Sequence, residues 1–364
     1  MDRLMGLITA NYQTPELGLL TEDRTIASLP FAGRYRLIDF PLSNMINAGI
    51  TAVGLVTPYK YRSIIDHVGA GKPWSLNRKN GGLFILPGSV FGVQSGESKF
   101  LLRDLERNRM FLTGAVAPYL LVTGASCVCT MDYNDVLEAH LKSGADITMV
   151  TVPAGEDNPH VSGLKVKEGK VLGVTHGVKA GGVQSLDCFI IATDFLLKLL
   201  DWYKTVNYLD LFDALAGDYD KLEVRTFEYT GYARPIYDVK SYYDAGMDML
   251  NPAVAAQVWR ADLPIQAKVN DAAPAQYLQG ACVRNSLISA GCTIGGTVEN
   301  SILSSGVVVK PGAVVRNTVL MKACVIEAGA EVDYGIFDKG NVVPAGAVLK
   351  GTPRDVLLRG KPNA

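Results

Sequence analysis

The chain of 364 residues is longer than one ordinary hydrophobic core supports and points to two domains. Hydrophobic residues make up 48% of it and charged residues 20%, a balance that excludes a disordered polymer and fits a soluble protein with a large interior. The formal net charge is −1, with no dense cluster of Lys and Arg, so nucleic acid is not an expected partner.

No segment approaches the ~18 consecutive apolar residues of a membrane span, so no membrane partner is expected either. The apolar run near Met1 is too short for a secretory signal, and a cytoplasmic location is expected. The six cysteines are scattered and form no C-x-x-C pair, as free thiols of a reducing compartment would be.

From the amino terminus, short β-like runs alternate with amphipathic segments. Strands are predicted at 4–8, 53–57, 119–123, 147–152 and 188–191. Helices are predicted at 41–48, 99–109, 134–142, 194–203 and 242–250. The first helix is punctuated by Pro41 at an opening position and Gly49 just past its end. A hairpin is expected over 164–174, turning at Glu168-Gly169-Lys170. Such alternation predicts an α/β unit, with a mixed, mainly parallel sheet and helices on both faces.

After Pro252 the helical periodicity is expected to end. A repeat takes over: the run from Val283 to Ile288 recurs from Val298 to Leu303 and from Val315 to Leu320, while Gly312, Gly329 and Gly346 follow one another at intervals of 17. A period near three hexapeptides is what one coil of a parallel β-helix requires, with a branched apolar residue pointing inward on each face. The domains are therefore set at 1–250 and 276–364, with a linker at 251–275. The carboxy-terminal stretch 354–361 reads as a solvated end or an interface element.

The first strand feeds the loop Asn11-Tyr12-Gln13-Thr14-Pro15-Glu16. A phosphate-binding turn needs glycines so that several backbone N–H groups can approach the oxygens, and none occurs between Gly6 and Gly18. Glu16 adds an anion and Pro15 removes a donor, so the loop is wrong for phosphate in both shape and sign. Nearby, Arg24, Arg34 and Arg36 form a local basic group that would suit an anionic sugar phosphate or nucleotide, or else ordinary surface ion pairs. Asp132 and Asp238 each open a helix, where an aspartate is commonly a cap.

The stretch Gly33-Arg34-Tyr35-Arg36-Leu37-Ile38-Asp39-Phe40 and its continuation to Ile50 closely resembles the segment after the nucleotide loop in bacterial ADP-glucose pyrophosphorylases (glucose-1-phosphate adenylyltransferases). Thr130-Met131-Asp132-Tyr133, the run from Asp238 to Leu250 and the carboxy-terminal coils look like the same family in the same order. The resemblance implies a Rossmann-like nucleotidyltransferase domain followed by a left-handed β-helix of hexapeptide repeats, acting on the route from glucose 1-phosphate and ATP towards glycogen.

Against that family the departures cluster at the site. The glycine-rich loop with its arginine corresponds to Asn11 through Glu16, so the arginine position holds Glu16. The lysine ten residues further on corresponds to Ile26. The aspartate that would help hold Mg²⁺ corresponds to Ser126, a poor ligand for a hard divalent ion. Arg24, Ser185 and Asp238 survive as candidates for residual substrate or effector binding, with Asp238 the one weak metal candidate.

Nucleotidyl transfer is positioning plus charge neutralisation, so losses of this kind leave little catalysis. The pattern is similar to a non-catalytic paralogue found beside a catalytic subunit in some bacteria. It implies a supporting or regulatory subunit in a mixed tetramer, with no cofactor of its own. Two alternatives stand beside it: an active adenylyltransferase using Mg²⁺ with a rearranged site, and a free-standing sensor of sugar phosphates or nucleotides. Acyltransferases with such coils commonly carry a histidine base on them, and no histidine here lies beyond His176.

Overall fold

The apolar run after Arg3 forms the strand Leu4–Thr9, buried along its whole length, inside a nine-stranded mixed sheet. The computed structural model describes residues 3–10, 12, 14–57, 60–89, 99–114, 117–269 and 271–362. The strand order is Gly82–Pro87, Ala52–Thr57, Leu4–Thr9, Tyr119–Gly124, Val183–Ala192, Ile147–Pro153, Val224–Glu228, Lys170–Val178 and Asn158–Lys167. All except Val183–Ala192 and Lys170–Val178 run in one direction.

Separate apolar clusters cover the two faces. One is built with Leu105, Leu196, Leu199 and Phe212, the other with Leu42, Met45, Ile64 and Val136. Each comes from helices that present every third or fourth side chain inward.

Several boundaries differ from the sequence reading, each for a local reason. The helix Asp39–Asn47 opens before Pro41, which sits in the first turn where its missing N–H is not needed. The segment 99–109 is not one helix. It divides into Leu102–Arg107 and Arg109–Gly114 at Asn108, whose side-chain amide donates to the carbonyls of Asp104 (2.8 Å) and Pro87 (2.9 Å). Such an amide competes with the helical backbone. Helical structure also does not end at Pro252: Pro252–Val258 is a helix that the proline starts, capped by Asn251 accepting from Ala253 N–H (3.0 Å). The first part of segment 251–275 is thus ordered against the nucleotidyltransferase-like domain, where Thr130 Oγ1 donates to the Val258 carbonyl (2.7 Å).

The repeat forms a left-handed parallel β-helix of three five-stranded sheets. Its coils stack in the register that the repeat predicts, Val283 on Val298 on Val315 on Val332 on Leu349. Inward positions such as Ile294, Leu303, Val309, Leu320, Ile326 and Phe337 make a closed apolar core. One corner is turned by Asn285, Asn300 and Asn317, all at positive φ, a region asparagine tolerates better than other side chains. Of the stretch 354–361, expected as a solvated end or an interface element, Leu357–Arg359 is the last strand of a sheet, paired with Gly335–Phe337.

The two domains share an apolar core. Leu17, Ile26, Phe31 and Tyr242 pack in one cluster with Ile302, Val319, Met321 and Ile336 of the coils. Tyr243 Oη donates to the Asn317 carbonyl (2.6 Å), and Arg24 forms a buried ion pair with Asp338.

Candidate functional site

Folds of this class bind ligands beyond the carboxyl ends of their strands, and here the ends of Leu4–Thr9 and Tyr119–Gly124 face a cleft. Its lining includes Tyr12, Glu16, Lys99, Ser126, Ser185 and Asp187. Tyr12 turns its side chain inward until only 4% is exposed. Its hydroxyl accepts the Ala125 N–H (3.2 Å) and hydrogen-bonds with the Ser126 side chain. Burial pushes the phenol pKa up, so the ring stays neutral.

The Lys99 ammonium lies 5.8 Å from the Tyr12 ring centroid and is ion-paired to Asp187. Burial pulls its pKa down, Asp187 and Tyr12 push it up, and the balance is upward. The lysine is charged, and its charge is already matched.

Asp187 reaches the cleft through a distortion of its strand. The pairing of Val183–Ala192 with Ile147–Pro153 shifts register between Ser185 and Phe189, and Asp187 takes φ +52°, an uncommon region for a residue other than glycine. The Ser185 hydroxyl accepts the Asp187 N–H (3.1 Å) and holds the bulge. Asp210 lies deeper, accepting N–H from Phe100 (2.7 Å) and Phe212 (3.0 Å), and burial raises its pKa to about 6. With Glu16 and Asp213 on the same lining, the described part of the cleft presents four carboxylates and one lysine.

The positions singled out by sequence divide clearly. Glu16 stands exposed at the rim, in the first turn of the 3₁₀ helix Pro15–Thr21. Ile26 is in the interdomain core, 1% exposed, so an apolar contact occupies the place where a cation was expected. Ser126 and Ser185 line the cleft, while Asn11 and Gln13 lie outside the described residues.

Asp238 caps the helix Val239–Asp248 in a reciprocal box: it accepts from Ser241 N–H (2.7 Å), and the Ser241 hydroxyl takes the Asp238 N–H (2.9 Å). Asp132 is likewise a cap, accepting from Asn134 N–H (2.9 Å). The backbone does bring the two expected metal positions together, since Ile236 N–H donates to the Ser126 carbonyl (2.7 Å). The side chains do not fit Mg²⁺: one is a serine bound to Tyr12 and the other a capping carboxylate outside this cleft.

The three arginines do not act as one group. Arg34 is exposed and lies over the Tyr35 ring at 5.5 Å, beside a groove with Trp259 and Leu287. Arg36 donates to the Ser63 carbonyl (2.6 Å) and hydroxyl (3.0 Å). Arg24 is 3% exposed, paired to Asp338 and donating Nε to the Leu20 carbonyl (2.8 Å). Its Nη1 is buried without a hydrogen-bond partner among the described residues. Lys339 of the coils joins Arg24 and Arg36, and its pKa is pushed down to about 8 by burial first and then by these two cations.

The chain matches the nucleotidyl transferase family over residues 17–170 and the GlmU-like carboxy-terminal hexapeptide family over residues 269–354. It is 36% identical to the glycogen biosynthesis protein GlgD of Geobacillus stearothermophilus, covering 86% of this chain and 83% of that protein. It is 32% identical to GlgD of Bacillus subtilis, over 85% and 82% of the two chains. The glucose-1-phosphate adenylyltransferase of Clostridium botulinum is 31% identical over 84% and 81%.

The chain belongs to the glucose-1-phosphate adenylyltransferase family. Its cleft is built in part from residues that sequence reasoning passed over. Tyr12 was visible as an aromatic in a phosphate loop, but its inward turn depends on Ala125 and Ser126, far away in the chain. Lys99 and Asp187 are 88 positions apart, and Lys339 meets Arg24 and Arg36 only across the domain junction. No spacing signals either contact.

Proposed function

We propose that this chain is a supporting, catalytically silent subunit of a cytoplasmic ADP-glucose pyrophosphorylase in glycogen biosynthesis, assembled with a catalytic homologue in a mixed tetramer. The observation that carries the reading is the filled phosphate cradle. The Tyr12 hydroxyl takes the Ala125 backbone N–H inside the cleft, and Lys99 is neutralised by Asp187. Losing one preorganised electrostatic donor costs on the order of 2.7–4 kcal/mol of transition-state stabilisation, so a site without loop, arginine or metal ligand has little left to work with. The reading includes no Mg²⁺ of its own, and the similarity to GlgD proteins supports it.

We read Arg24, Arg36 and Lys339 as the seat of an anionic sugar-phosphate or nucleotide effector. The support is chemical: a buried guanidinium N–H group without a hydrogen-bond partner among the described residues and a lysine whose charge is unfavourable until an anion arrives. The deciding experiment measures pyrophosphate release from ATP, glucose 1-phosphate and Mg²⁺ by the chain alone and mixed with a catalytic homologue. No turnover alone, with a changed rate or effector response in the mixture, is expected. Turnover by the isolated chain would overturn the reading.

A further inference from the structure

The cleft beside Tyr12 borders a second groove. Asn158 and Tyr237 line the second groove, Pro159, His160 and Tyr237 the first, so the two meet at one half-buried tyrosine whose ring stacks on His160 (centroids 5.4 Å apart, planes at 15°). The second groove adds Glu156, Gln184, Arg234, Lys240 and Asp244. Its cations are also spent: Arg234 and Lys240 both pair with Asp244, as Lys99 pairs with Asp187 in the first. Along the described lining of the joined groove every lysine and arginine has an ion-pair partner, Arg234 and Lys240 sharing Asp244, and seven carboxylates stand against three cations.

Such a lining rejects a phosphate, which would face unpaired anions of its own sign. It suits a neutral ligand rich in hydroxyls. Carboxylate and amide oxygens accept from vicinal hydroxyl groups, serine and amide groups donate to them, and an aromatic ring at the junction packs against the apolar face of a sugar. A groove open across two compartments matches a chain of several sugar units better than one.

We propose that the joined groove binds an uncharged oligosaccharide of α-linked glucose. The saccharide class follows from the groove; the choice of glucose in α-linkage rests on the assignment to glycogen biosynthesis above. The test is calorimetric titration of the full chain with maltotetraose, then with glucose 1-phosphate and with ATP as separate probes. Binding of maltotetraose is expected, weakened at least tenfold by Tyr237→Ala and by Gln184→Ala, and not displaced by either phosphate compound.

Absence of maltotetraose binding would overturn the proposal, and so would its displacement by glucose 1-phosphate. Binding that survives both substitutions would overturn the location. Because Tyr237→Ala removes packing, ring proton signals of His160 in the unmodified chain give a second readout, expected to shift with maltotetraose. The mixing experiment on pyrophosphate release is independent: a silent subunit with no saccharide affinity would leave that reading standing and sink this one.

Discussion

Asp210 is a carboxylate held where water cannot solvate it, and the consequence is a pH-dependent stability. Its pKa rises from 3.8 to about 6 by burial, opposed by the N–H groups of Phe100 and Phe212. Between those two values the folded chain keeps a proton that the unfolded chain has released. Stability therefore falls as pH rises through the window, by about 3 kcal/mol in total. Asp210→Asn removes the buried charge but keeps only one of the two oxygens that accept these N–H groups, a cost that does not depend on pH. We expect the Tm difference, variant minus parent, to be more positive at pH 8 than at pH 4; an equal difference at both values would contradict the assignment.

Lys339 carries the opposite sign of argument. Its depressed pKa means that the folded chain has lost a proton between about pH 8 and 10.5 that the unfolded chain still holds, and an anion bound beside it restores the proton. Stabilisation by sulfate, whose charge is constant over this range, should be larger at pH 7 than at pH 9.5, as read from Tm shifts. Lys339→Gln should flatten the difference.

At the level of elements, what was legible followed how local the signal is. The strands Leu4–Thr9, Ala52–Thr57 and Tyr119–Gly124 stood out because each is a continuous apolar run buried on both faces. Gly82–Pro87 was missed because it is half exposed, with Phe84 and Ile85 open to solvent, and shows neither a buried run nor alternation. The lack of glycine in the loop was also legible, since it is a local property of the sequence. What fills the cradle was not, because Tyr12, Lys99 and Asp187 come from three distant segments.

The coils were the most legible part, because each side chain repeats the task of its predecessor. That regularity allows a test at Asn300, which turns its corner at φ +45° and accepts a hydrogen bond from the Asn285 amide (2.9 Å). Asn300→Ala loses the bond and puts a Cβ with no compensating polar group into the left-handed region, for an expected loss of about 1–2 kcal/mol. Asn300→Gly loses the same bond but no longer carries that strain, so chemical denaturation should find it the more stable of the two. The reverse order would mean that the left-handed turn costs nothing here.

For the whole molecule, the decisive feature is that the junction between domains is a core. Met321 and Ile336 belong to the coils, are fully buried, and pack in the same cluster as Leu17, Ile26, Phe31 and Tyr242 of the nucleotidyltransferase-like domain. Interfaces between independently moving domains are smaller and more polar, so these two domains should fold and unfold as one unit. The placement of tryptophan makes this testable: Trp74, Trp202 and Trp259 all precede the coils, but Trp259 packs at the junction, so in a Trp259→Phe background fluorescence reports the first domain alone, whereas circular dichroism reports both. Ile336→Ala removes a side chain from the coils at an expected cost of about 2–5 kcal/mol. If the junction is a shared core, the fluorescence transition moves to lower denaturant together with the circular dichroism transition. A fluorescence midpoint that stays in place while the coils unfold early would mean that the domains are coupled only loosely. In that case, an effector seated between Arg24 and Lys339 would have no rigid path to a partner subunit.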